Sequence, residues 1–152
     1  MSDTPRGWNW IIVQGLLFLL ILLTPRLIPF SLSIFLRAPG WLFIGFAAYL
    51  GSGALLALGS SLSLFPRPLE DAELVRSGPY RLLRHPIYGA LILGTWGWSL
   101  WRAHLPGLIL ALALAAFFDR KSRHEEELLM QRYPDYADFQ RSTRRRLIPW
   151  IY

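Results

Sequence analysis

Gly78-Pro79-Tyr80-Arg81-Leu82-Leu83-Arg84-His85-Pro86-Ile87-Tyr88-Gly89 and, some forty positions later, Arg123-His124-Glu125-Glu126-Glu127-Leu128-Leu129 decide how this chain reads. Each stretch is a dense polar cluster set directly against an apolar block. Arginines alone at such a boundary would be anchors. A His-Pro turn, tyrosines and carboxylates beside apolar walls fit a pocket for a charged cofactor.

Outward from these clusters the chain divides into apolar blocks separated by arginine-rich segments. It has 152 residues, 53% of them hydrophobic and 14% aromatic, with seven Trp. That blockwise distribution predicts an all-α integral membrane protein with about four transmembrane helices. The net charge of +6 does not point to nucleic acid, because the basic residues flank apolar blocks and form no stripe on a polar helix. With no cysteine, disulfides, thiolate catalysis and cysteine-based metal sites are excluded.

The first block, Trp8 to Ile28, is predicted to rise about 30 Å, with Trp8 and Trp10 at the interface and Pro25 and Pro29 closing it. It carries no small-residue cleavage site behind it, so a spanning helix is expected rather than a secretory signal. Ser31 to Pro39 reads as a loop or interfacial turn. The second block, from about Gly40 to Phe65, is rich in small residues, and Gly51-Ser52-Gly53 is read as a packing face. Pro66-Arg67-Pro68 ends it. Two shorter blocks, Pro86 to Trp101 and Leu105 to Phe118, form a helical hairpin through Trp101-Arg102-Ala103-His104 if flanking residues lengthen the arms. An amphipathic extension carries the last helix to about Gln131, and a polar, aromatic tail follows from Tyr133 to Tyr152. The whole is expected to be one membrane domain over 1–152, with two N-terminal spans in 1–65.

Arginine asymmetry sets the expected orientation. The 66–85 loop holds Arg67, Arg76, Arg81 and Arg84, and the tail holds Arg120, Lys121, Arg123, Arg132, Arg141 and Arg144-Arg145-Arg146. The opposite loops hold Arg26, Arg37 and Arg102. The positive-inside rule then puts both termini and both clusters in the cytoplasm. Compact size and absent cysteine fit a prokaryotic source, hence a multi-pass protein of a bacterial inner membrane.

Local chemistry narrows the candidates. Pro86 suits the first turn of a helix and biases His85 away from helical geometry. Gly78-Pro79 makes a second turn ahead of Tyr80, and Gly89 leaves room beside Tyr88. On the later helix Lys121 and Glu125 share a face. Glu125, with Lys121 and Leu129 as its i−4 and i+4 neighbours, sits between the polar and apolar faces. Glu126 and Glu127 read as a solvated, salt-bridged face, and Arg144-Arg145-Arg146 as a basic anchor against anionic lipid.

The ordered set of Gly-Pro-Tyr at 78–80, Arg-His-Pro-x-Tyr at 84–88, Arg-x-Glu-Glu at 123–126, Leu129, Tyr133, Tyr136 and Ile148-Pro149 resembles the isoprenylcysteine carboxyl methyltransferase family and its bacterial relatives. Phospholipid N-methyltransferases look like more distant relations. The resemblance covers about residues 69 to 150. It implies an integral membrane methyltransferase using S-adenosyl-L-methionine, with 66–152 as the catalytic half and the cofactor at the cytosolic end of the last helices. By motif, Tyr80, His85, Pro86, Ile87 and Tyr88 would line the cofactor site, Leu74 and Val75 would contribute backbone contacts, and Glu125 would bind the cofactor. Lys121, where the family often has Arg, and nearby Arg123 would position the acceptor. No metal is required.

A basic pair suits a carboxylate acceptor, so O-methylation of a small or lipid-like molecule arriving from the bilayer is expected. Two other readings compete. One is a membrane reductase of the sterol-reductase type using NADPH, whose last helices hold a similar Arg-x-Pro-x-Tyr turn. The other is a non-enzymatic membrane scaffold subunit with charged helix ends.

Overall fold

A computed structural model describes residues 7–24, 34–61 and 74–149. Among these residues the fold is helical throughout, without a strand. The long helices are α1 (Trp8–Leu23), α2 (Ile34–Leu58), α3 (Pro86–Trp101) and α4 (Leu105–Arg132), followed by a short α5 (Tyr136–Ser142). The bounds of α3 coincide with the expected block, and α4 continues past Phe118 as the amphipathic pattern requires.

Helices α1 and α2 depart from expectation at their ends. Helix α1 stops at Leu23, because Thr24 precedes a proline and takes ψ 119. Its 16 residues rise about 24 Å rather than the expected 30 Å. The expected closure at Pro25 to Pro29 lies outside the described residues.

Residues 34–39, expected in a loop, are instead the first turns of α2, with Pro39 inside the helix. A proline this near the N-terminus removes a single ladder bond, which an apolar helix packed on its neighbours tolerates. The same helix ends at Leu58 rather than Phe65, where Gly59 turns into the left-handed region at φ 51. Pro66-Arg67-Pro68 and the acidic residues Glu70, Asp71 and Glu73 lie outside the described residues.

Helix α2 packs along α3, and α3 turns back through Arg102-Ala103 into α4, with His104 capping α4 by accepting from the Gly107 N–H at 3.1 Å. α1 lies against α4. The small residues do serve packing. Gly40 and Gly97 let the α2 and α3 backbones touch: a Cβ on Gly40 would lie 2.7 Å from the Gly97 carbonyl oxygen. Gly51 faces Ala90, and Gly53 faces Pro79. Ile21, Ile92, Leu114, Phe118 and Leu147 form one core cluster, and Ala47, Leu50, Leu83, Ala90 and Leu93 a second.

Much of the outer surface is apolar. Ile12, Leu16, Leu19 and Leu23 on α1, Phe35, Leu42 and Leu56 on α2, and Ile109 and Leu112 on α4 are large and exposed. Arg37–Leu58 is long and apolar enough to cross a membrane; Trp8–Leu23 is apolar but shorter.

Candidate functional site

Two elements meet at one end of the bundle. The turn ahead of α3 supplies Arg84, His85 and, one helical turn on, Tyr88. The polar extension of α4 supplies Lys121, Glu125 and Glu126. Pro86 begins α3 as its first residue and is buried, while His85 stands just outside at φ −126 and ψ 66. The His85 side chain therefore points back over the α4 extension instead of following the helix.

Glu125 is half-buried. Its Oε2 accepts from the Tyr88 hydroxyl at 2.7 Å and lies 3.7 Å from His85 Nδ1. The His85 and Tyr88 rings are parallel, with centroids 5.5 Å apart, and Tyr88 stacks in turn on Phe118 at 4.7 Å. Lys121 is 2% exposed, and its Nζ lies 5.1 Å from the Tyr88 ring centroid. Nζ also donates to Gln14 Oε1 of α1 at 2.8 Å. Tyr88 thus meets a carboxylate at its hydroxyl and an ammonium over its ring.

Glu126 corrects the sequence reading. It belongs to no solvated face: it is 6% exposed. Its Oε1 accepts from Arg84 Nε at 2.7 Å and lies 3.2 Å from His85 Nε2, and its Oε2 accepts from Gln140 Nε2 at 3.1 Å. Burial pushes this carboxyl up, but the bonds from His85 and Arg84 outweigh it and hold it at about 2. Glu127, by contrast, is exposed, near His124 at 3.8 Å.

The C-terminal segment 143–149 closes over this ion pair. Arg84 donates its guanidinium to the Thr143 and Arg144 carbonyls at 2.9 and 2.8 Å. The Arg84 and His85 backbone N–H groups donate to the Arg145 and Arg146 carbonyls, each at 3.0 Å. Arg146, expected in a lipid anchor, is buried and paired with Asp119, and only Arg144 and Arg145 are exposed. Gly89 makes the close fit possible, since any Cβ there would overlap the Leu147 carbonyl oxygen.

The remaining candidates form an apolar wall. Tyr80, Ala54, Tyr136 and Phe139 are its buried centre, with Leu74, Val75, Ile87, Leu129 and Tyr133 packed around them. Arg76 ties Leu74-Val75 to α5: it pairs with Asp135, donates to the Asp135 carbonyl at 3.2 Å and lies 5.9 Å from the Phe139 ring centroid. Burial pushes the Tyr80 and Tyr136 phenols up, and the charges of Glu125 and Glu126 respectively add to the effect. Both stay neutral donors. The buried Tyr136 hydroxyl has no hydrogen-bond partner among the described residues.

The structure thus gathers His85, Pro86, Tyr88, Lys121 and Glu125 at one place, and Leu74, Val75, Tyr80 and Ile87 in the adjoining wall. Arg123 stays apart: it is exposed and bonded to Asp119 at 3.0 Å. Arg84, Glu126, Gln140 and Gln14 were not singled out from the sequence. Glu126 had no usable signal, since helical spacing does not show that α5 and the segment 143–149 pack on it. Gln14 had none beyond being polar in an apolar helix.

Over 75 residues, 49% of this chain, it is 35% identical to the nickel-cobalt-cadmium resistance protein NccN of Alcaligenes xylosoxydans xylosoxydans. Over the same length it is 38% identical to the cobalt-zinc-cadmium resistance protein CzcN of Cupriavidus metallidurans. The matched stretch spans 35% of each relative, about a third of its length. Residues 35–136, which hold α2, α3, α4 and both clusters, match the phospholipid methyltransferase family. The chain belongs to that family of membrane methyltransferases, to which the isoprenylcysteine carboxyl methyltransferases are related.

Proposed function

We propose that this protein transfers a methyl group from S-adenosylmethionine to a small or lipid-like acceptor bearing a carboxylate. The reading is carried by one observation: the Lys121 ammonium lies over the ring of Tyr88, whose hydroxyl bonds Glu125. The residues fit the cofactor. Glu125 Oε1 makes no bond among the described residues and suits an ammonium. The wall of Leu74, Val75, Tyr80 and Ile87, with the orphaned Tyr136 hydroxyl, suits a heteroaromatic base. When bound, S-adenosylmethionine supplies a methyl group already activated by its positive sulfur.

The chain's own part is then to bind, align and exclude water. A carboxylate acceptor is ionised at neutral pH, so no side chain has to take its proton. Lys121 supplies the positive charge that draws such a group toward Tyr88. The exposed apolar faces of α1, α2 and α4 support a protein of four spans, α1 to α4, in a bacterial inner membrane, with the acceptor approaching from the bilayer. The arginine-rich loops support a cytoplasmic site.

Calorimetry on the detergent-purified protein tests the reading. Saturable S-adenosylmethionine binding in the micromolar range, with none for NADPH, is the expected result. NADPH binding alone would establish the reductase reading instead, and no heat from either would leave a scaffold.

A further inference from the structure

Helix α1 lies outside the stretch that matches the family. Its sequence, Trp8 to Leu23, is apolar on every side except for Asn9 and Gln14. Gln14 is half-buried where α1 crosses α4, and its Oε1 accepts from Lys121 Nζ at 2.8 Å. Ring contacts set the height of this crossing. Trp10 stacks on His124 with centroids 5.8 Å apart and tilts against Phe117 at 5.5 Å. Trp10 and Gln14 are one helical turn apart on α1, as Phe117, Lys121 and His124 are on α4. The register that seats Trp10 therefore also seats Gln14 on Lys121.

The chemistry of the partner matters. A neutral amide orients the ammonium without cancelling its charge, whereas a carboxylate at the same place would form an ion pair. The oriented Nζ lies over Tyr88, which is bonded to Glu125. We propose that Gln14 is a positioning residue: it aims the Lys121 ammonium at the Tyr88 ring, and so gives the acceptor subsite its preference for an anionic headgroup. The proposal rests on the methyltransferase reading for what the subsite serves. It makes α1, outside the family's matched stretch, part of the specificity of this chain.

Calorimetry in nanodiscs of zwitterionic lipid tests it, with sodium octanoate and octylammonium chloride as probes and S-adenosylmethionine titrated separately. The wild type is expected to favour octanoate by about tenfold or more, the scale of one charge-assisted bond. Gln14→Leu, which suits an apolar helix, removes the orientation, and Gln14→Glu restores a bond but neutralises the charge. Both should bring the two probes to near parity while S-adenosylmethionine binding stays unchanged. A purely structural role for Gln14 would not produce this change in charge selectivity. An unchanged octanoate preference in both variants overturns the proposal. So does loss of S-adenosylmethionine binding in step with octanoate, since α1 would then merely hold the fold. A wild type that ignores S-adenosylmethionine yet shows the Gln14-dependent preference would sink the methyltransferase reading and leave the positioning role standing.

Discussion

Arg84 donates Nε to Glu126 Oε1 at 2.7 Å and joins the turn ahead of α3 to the α4 extension across 42 positions of chain. Both side chains are nearly buried, 11% and 8% exposed. The same guanidinium holds two carbonyls of the C-terminal segment. Removing the carboxylate leaves a buried cation with only part of its partners. Glu126→Ala is expected to destabilise the protein by about 3 kcal/mol. Thermal unfolding in one detergent, against Glu127→Ala as the exposed control, reads the difference. Equal loss in the two variants would contradict the buried pair.

The same carboxylate predicts a stability change in acid. Its folded value of about 2 lies below the ordinary 4.5, so folding favours the ionised form. That contribution is fully present above about pH 5, because both states are then ionised. It declines as pH falls through 4.5 toward 2, where the folded carboxyl also takes a proton. The shift corresponds to about 3 kcal/mol at most. Unfolding midpoints at pH 6, 4 and 3 should fall more steeply for the wild type than for Glu126→Gln. Parallel slopes would show that other carboxyls govern acid unfolding.

Much of this was legible in the sequence, for identifiable reasons. Pro86 marks the start of α3 through its backbone restriction, and the polar link Trp101-Arg102-Ala103-His104 marks the break before α4. Periodicity carries α4 past Phe118 and puts Lys121 and Glu125 on one side. The burial of Glu126 was not legible, because helical spacing gives a residue's face but not what packs on it. Its cover is α5 and the segment 143–149, which has no period to read. The early start of α2 was hidden by Pro39, a residue that ends helices in most settings but costs little near their first turns.

Glu125 differs from Glu126 in having less invested in the fold. It is half-buried, and among the described residues its one close bond is from the Tyr88 hydroxyl at 2.7 Å. A glutamine amide oxygen accepts that same bond. Glu125→Gln is therefore expected to unfold within about 1 kcal/mol of the wild type. S-adenosylmethionine binding should weaken by about tenfold or more, since a charge-assisted bond to the ligand is lost. Calorimetry and thermal unfolding on the same sample separate the two effects. Undiminished binding would remove Glu125 from the site.

Gly89 lies where α3 meets the C-terminal segment, and the fit there is tight. A Cβ at 89 would overlap the Leu147 carbonyl oxygen and lie 3.2 Å from Leu83 Cδ1. Leu83 and Leu147 are both buried, so neither side yields cheaply. Gly89→Ala is expected to displace the segment at a cost of about 2 kcal/mol. The displacement should break the backbone bonds from Arg84 and His85 and expose Arg144 and Arg145 to trypsin more often. Gly94→Ala is the control: its Cβ would meet Ala47 at 3.6 Å, an ordinary contact. Faster C-terminal cleavage in Gly89→Ala than in Gly94→Ala, followed by mass spectrometry, is the expected outcome. Equal rates would mean that the segment does not depend on close approach at Gly89.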